Sequence, residues 1–165
     1  MPVPVIICGV AGCGKTRLAT GLSAATGWPF VEGDDLHPPA NIARMAAGIP
    51  LTDDDRWPWL DRIAAQLAAW QADSRPGIIS CSALRRRYRD RLRAAAPATS
   101  FVMLDITPEL ANERLASRQG HFMPASLIAS QFATLELPVD DEAVIAIAAT
   151  LSPEAQIVAA LAALA

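Results

Sequence analysis

A chain of 165 residues has the size of a single domain and is long enough to bury about 70% of its unfolded surface. Its 52% hydrophobic content comes largely from scattered alanine, and no apolar run approaches the roughly 20 residues of a membrane span. With no basic leader ahead of the first apolar run, a net charge of −3, and Cys8, Cys13 and Cys81 in no zinc or disulfide spacing, the reading is a cytoplasmic protein with reduced thiols, neither membrane-bound nor a general nucleic-acid binder.

The first predicted element is a strand over 3–8, stopped by Gly9. The octapeptide Gly9-Val10-Ala11-Gly12-Cys13-Gly14-Lys15-Thr16 is a complete G-x-x-x-x-G-K-[ST] phosphate-binding loop. A helix over 16–26 follows, with Leu18, Ala19, Leu22 and Ala25 at helical spacing. This order lets glycines turn successive N–H groups inward on phosphate oxygens at the positive end of a helix. Of the fourteen basic side chains only Lys15 is a lysine, and it stands where a nucleotide's β- and γ-phosphates need a slim point charge. Thr16 would place its hydroxyl on Mg²⁺.

A second strand over 29–32 runs into Glu32-Gly33-Asp34-Asp35, and a helix over 39–47 is broken by Gly48-Ile49-Pro50. Thr52-Asp53-Asp54-Asp55 supplies capping residues for a long helix over 57–72. Then come a strand over 78–81, a helix over 84–95, a strand over 100–106 and a helix over 108–117. Residues 118–122 interrupt the pattern before a helix over 124–135, a fifth strand over 143–148 and a last helix over 153–164. Strands alternating with helices predict an α/β fold, one domain over 1–165, with a five-stranded parallel sheet covered on both faces. Ligands of such sheets lie at the carboxyl ends of the strands, which here are the phosphate loop, 32–37, 81–89 and the region of the fifth strand. The arginines of the run 85–93 spread around a helix instead of forming one stripe, so a solvated helix explains them more simply than nucleic-acid binding.

Several segments carry a more specific signal: Gly33-Asp34-Asp35-Leu36-His37-Pro38, Asn41, Met45, Gly48, Pro50-Leu51, Asp53 to Arg56, Trp59-Leu60, Cys81-Ser82-Ala83-Leu84, Tyr88-Arg89-Asp90, Gly120-His121-Phe122, Gln131-Phe132 and Leu135-Glu136. Together they resemble the gluconokinase family from the phosphate loop to about residue 138. The resemblance implies ATP- and Mg²⁺-dependent phosphorylation of D-gluconate to 6-phospho-D-gluconate on a P-loop NTPase fold, the three-layer nucleoside-monophosphate-kinase-like type related to shikimate kinase. It also implies a homodimer. Under it, Lys15 and the loop from Gly9 to Thr16 hold the phosphates, and Asp34 accepts or orients the sugar's hydroxyl proton. Thr16 and Glu32 serve the metal, Glu32 resembling the first acid of the acid-x-acid pair of related kinases. Arg56, Arg85, Arg89, His37, Ser82 and Gln131 are the expected suppliers of a cation and hydrogen bonds to the anionic polyol. Arg114 and Arg118 flank a lid at about 118–124 whose closure would bring Arg118 onto the transferred charge. A shikimate-kinase-like enzyme and an ATP-binding module without turnover stay open as alternatives.

Overall fold

The computed structural model of the protein describes residues 3–117 and 125–165. Five strands, β1 (Pro4–Cys8), β2 (Phe30–Glu32), β3 (Gly77–Ser80), β4 (Ser100–Asp105) and β5 (Ile145–Ala148), pair in the order β2-β3-β1-β4-β5. All four pairings are parallel. Among the described residues seven α-helices accompany them: α1 (Lys15–Thr26), α2 (Pro39–Ala46), α3 (Asp53–Ala72), α4 (Arg86–Ala95), α5 (Pro108–Ala116), α6 (Ala125–Thr134) and α7 (Pro153–Leu164). The α/β class and the five-stranded parallel sheet expected from the alternation of elements are therefore observed.

Strand alternation divides the core between the two faces of the sheet. On one face Ile6 and Cys8 of β1 and Phe101 and Met103 of β4 pack with Trp59, Leu60, Ile63, Leu67 and Leu92 of α3 and α4. On the other, Val5, Ile7, Val102 and Leu104 pack with Leu18 and Leu22 of α1 and Ala160 of α7. The crossover from β1 runs toward β2 at one edge and that from β3 runs past β1 to β4 on the other side, so a crevice opens beyond the carboxyl end of β1. The segment placed in that crevice is the phosphate loop.

Two boundaries differ from the sequence pattern for local reasons. The long helix begins at Asp53, not 57, because Thr52 and Asp55 form a reciprocal capping box: the Thr52 hydroxyl accepts from Asp55 N–H at 3.2 Å and Asp55 Oδ2 accepts from Thr52 N–H at 2.9 Å. Pro58, which favours a first turn, then lies inside the helix. The fourth helix begins at Arg86, not 84, because Ala83 takes a φ of 41° and Arg85 is extended.

Beyond β3, the fully buried guanidinium of Arg89 meets the carboxylate of Glu142, which is also buried. Arg89 Nε and Nη2 donate to Glu142 at 2.6 and 2.9 Å, and the remaining N–H groups reach Ala83 O, Leu84 O and Glu136 O. The hydrogen bonds and charge of Arg89 hold the Glu142 carboxyl down to about pKa 2, against 4.5 ordinarily. A carboxylate with a depressed folded pKa contributes stability that is complete above 4.5 and lost as pH falls through about 2. Arg89→Ala is expected to cost about 3–5 kcal/mol at pH 7, because it leaves a buried charge unpaired. Glu142→Gln is expected to lessen the acid-dependent loss of stability between those pH values, since Asp55, Asp61 and Asp141 are also held below the ordinary carboxylate range. Urea unfolding at pH 7 and at pH 3 checks both.

Candidate active site

The crevice beyond β1 contains a cavity whose floor is the phosphate loop. Gly12 and Gly14 have φ of 81° and 99°, a left-handed backbone that other residues adopt at a cost. A Cβ on Gly12 would also lie 2.9 Å from Ala111 O of α5. The loop ends at the first turn of α1, whose free N–H groups and dipole favour an anion. Lys15 Nζ donates to Gly9 O at 3.0 Å and to Val10 O at 3.1 Å. Of its three protons, one has no partner among the described residues. Thr16 Oγ1 donates to Glu32 Oε2 at 2.6 Å, and Ser80 donates to Glu32 Oε1, so two hydroxyls orient this carboxylate at the end of β2.

The next wall depends on Gly33. A Cβ there would lie 1.9 Å from Ser80 O, so no other residue fits without displacing β3. Its N–H donates to Ser80 Oγ at 3.2 Å and its carbonyl accepts from Trp59 Nε1 at 2.8 Å. This corner starts a short 3-10 turn, Gly33–Leu36, that places Glu32 and Asp34 on the same cavity. His37 follows, buried, with its ring stacked on Trp59 at 4.0 Å and 16°. Burial, and then the charge of Arg56, lower the His37 pKa to about 4, so the ring is neutral at physiological pH.

Arg56 lines the far side of the cavity. It donates to the Tyr88 hydroxyl at 2.8 Å, lies over the Tyr88 ring at 5.4 Å, and has Asp53 3.8 Å away. Tyr88 in turn donates to Asp53, which also pairs with Arg87. Burial and the Asp53 hydrogen bond raise the Tyr88 pKa, so the phenol stays protonated.

The cavity brings together Ala11, Gly12, Gly14, Lys15 and Thr16 of the loop with Glu32, Asp34, His37, Arg56, Ser82 and Gln131. Gly9, Val10 and Cys13 support the loop from behind, and Cys13 is fully buried. Gln131 reaches the loop itself, its Oε1 accepting from Ala11 N–H at 2.6 Å. Arg114 lies outside the lining, between Cys13 O at 3.5 Å and Ala149 O at 2.6 Å, and so ties the loop to the turn after β5. Arg89, expected to bind substrate, is corrected: all five of its N–H donors are engaged in the buried Glu142 cluster. Arg85 also falls outside the cavity lining, its Nε buried at the start of α4. Arg118, His121 and the lid segment 118–124 lie outside the described residues. The sequence reading missed an apolar share of the wall: Met45, Pro50, Leu51 and Leu84, whose only signal was membership of the motif segments at 45–51 and 84, and Leu127, which carried none.

A parallel sheet with a complete phosphate loop at its switch point, facing a carboxylate pair at the next strand end, defines a P-loop kinase. The AAA domain family model matches residues 5–138. The chain is 49% identical to the gluconokinase of Gluconobacter oxydans (strain 621H) over 151 residues, 91% of this chain and 84% of that one. It is 44% identical to the thermosensitive gluconokinase of Escherichia coli (strain K12) over 137 residues, 83% of this chain and 73% of that one. The solved structure of a gluconokinase from Sinorhizobium meliloti 1021 superposes with a TM-score of 0.90 at 44% identity, covering 99% of this chain and 91% of that one. The chain belongs to the gluconokinase family, within the AAA domain family.

Gly33→Ala is expected to cost about 3 kcal/mol, since the added methyl meets a backbone carbonyl. Denaturant unfolding measures this, and nucleotide turnover should fall with it because Glu32 and Asp34 move together.

Proposed function

We propose that this chain transfers the γ-phosphoryl group of ATP to the primary hydroxyl of D-gluconate, giving 6-phospho-D-gluconate and ADP, with Mg²⁺ as the metal. The observation that carries this reading is one cavity that joins a phosphate loop, a carboxylate pair and a separate cation. The chain's identity to gluconokinases supports the substrate.

The Thr16 hydroxyl and the Glu32 carboxylate suit Mg²⁺, a hard ion that takes oxygen ligands and keeps most of its waters and phosphate contacts. When bound, the metal neutralises phosphate charge. Lys15 adds its ammonium to the β- and γ-phosphates, and the loop amides hold the oxygens in place. Asp34 accepts the proton of the attacking hydroxyl as the new O–P bond forms and the bond to the β-phosphate oxygen breaks. Arg56 pairs with the substrate carboxylate; with His37 neutral, Arg56 is the cation on that side of the cavity. Ser82 supplies a further hydrogen bond to the polyol. Arg118, which lies outside the described residues, brings a charge to the moving phosphoryl group. The chain acts as one P-loop kinase domain over 1–165, in the cytoplasm, as a homodimer. No helix among the described residues is long and apolar enough to cross a membrane.

Purified protein should produce ADP with Mg²⁺ and D-gluconate and far less with shikimate, other aldonates or no acceptor. Lys15→Ala and Asp34→Asn should each lower kcat by about a hundredfold or more. Arg56→Leu should chiefly raise the KM for gluconate, by about tenfold to a hundredfold, as loss of a charged hydrogen-bond partner predicts. Turnover by Asp34→Asn equal to wild type would remove Asp34 from the chemistry.

A further inference from the structure

Asn41 does not line the cavity, yet it decides what His37 can offer there. Both side chains are buried, on the short stretch between β2 and α3. Asn41 Nδ2 lies 2.8 Å from Asp55 O and 3.2 Å from His37 Nδ1. A backbone carbonyl only accepts, so the amide atom facing Asp55 is the NH₂ group, and its second hydrogen points at His37 Nδ1. Nδ1 must therefore present a lone pair. A neutral imidazole with Nδ1 unprotonated carries its proton on Nε2.

The ring has little freedom to choose otherwise. It lies flat on Trp59, which is itself held by Gly33 O. Asn41 is anchored to the first turn of α3 through Asp55. The charged group facing the ring is Arg56, which opposes a second proton. His37 also shares its cavity with Asp34 and Ser82.

We propose that Asn41 is a positioning residue that holds His37 in the tautomer whose Nε2–H is the donor, which binds a hydroxyl lone pair of the acceptor substrate. The identity of that hydroxyl rests on the gluconate reading above; the tautomer does not. A charged His37 would compete with Arg56 for the substrate carboxylate and allow the anionic polyol to bind reversed. A neutral donor leaves Arg56, among the described residues, as the cation beside His37 for the substrate carboxylate.

The full chain labelled with ¹⁵N, with His121→Gln to assign the two histidines, gives the tautomer by long-range ¹H–¹⁵N correlation. The expected result is a protonated Nε2 and an unprotonated Nδ1 at pH 7, with titration near pH 4. A proton on Nδ1 at pH 7 would overturn the proposal, and this measurement needs no variant at position 41. In Asn41→Asp the carboxylate makes Nδ1 the donor and Nε2 an acceptor. The KM for gluconate at pH 8 is then expected to rise about five- to tenfold with kcat little changed. It should fall back toward wild type at pH 6, where the imidazolium, its charge offset by the carboxylate introduced at position 41, regains its Nε2 proton, while wild-type KM stays flat. A KM unchanged at pH 8, raised equally at both pH values, or accompanied by an equal loss of kcat, would refute the positioning role. Wild-type protein inactive on gluconate but with Nε2 protonated would sink the substrate reading and leave the tautomer standing.

Discussion

The guanidinium of Arg89 has five N–H donors and five acceptors to match: two oxygens of Glu142 and the carbonyls of Ala83, Leu84 and Glu136. Complete satisfaction is what makes a fully buried ion pair tolerable, because removal from water costs several kcal/mol per ion. The arrangement matters for where its acceptors lie. Ala83 and Leu84 form the turn after β3, Glu136 follows α6, and Glu142 precedes β5. Arg89 thus joins three segments at the active end of the sheet, together with the Glu136 N–H bond to Leu84 O at 2.8 Å and the Arg86 bonds to Asp141. The turn is strained, with Ala83 at a φ of 41°, and Ser82 O within it accepts from Gly9 N–H at 3.2 Å. A contact far from any phosphate thus sets the entrance to the phosphate loop.

From that frame the cavity obtains a division of charge. Glu32 and Asp34 stand on either side of Gly33, while Arg56 comes from α3 and leans on Tyr88. Between them His37 is kept uncharged by burial and by Arg56 itself. A cation from α3 and two carboxylates at the end of β2 therefore share one cavity with the phosphate loop. The apolar residues Met45, Pro50, Leu51 and Leu127 complete the wall and lower the local dielectric, which strengthens each of these charges.

Much of this was legible in the sequence. The phosphate loop announces itself by glycines that must turn and a lysine that arginine cannot replace, and the alternation of elements predicts the sheet. Less accessible were choices that depend on partners distant in sequence. Nothing near Arg89 distinguishes it from Arg85 or Arg87; its role depends on Glu142, 53 residues away. The start of α3 was obscured by Pro58, whose preference for a first turn competes with the stronger Thr52 and Asp55 box. Gly33 reads as a turn residue, and only the approach of Ser80 O shows why a methyl group is excluded. His37 reads as a charge or a ligand until Asn41 and Asp55 fix its proton.

The arginine-rich composition has a physical reading as well. Arg86 holds Asp141 through two hydrogen bonds, and Arg91 holds Asp61 through two while lying 4.9 Å over Trp57. Arg93 reaches Glu142 O at 2.7 Å and covers the Phe101 ring at 4.5 Å. Arg87 pairs with Asp53. A planar fork binds a carboxylate through two parallel hydrogen bonds and lies flat over a ring, geometries that a compact ammonium does not offer. The basic run of 85–93 is therefore engaged largely with acids and rings of its own chain, and its density reflects intramolecular pairing along α4. Lys15 works under the opposite requirement. It must fit between two loop carbonyls and still present a proton to the crevice, and a rigid fork cannot fold into that space. The lysine of the loop and the arginines of α4 thus differ in use by one distinction in side-chain shape.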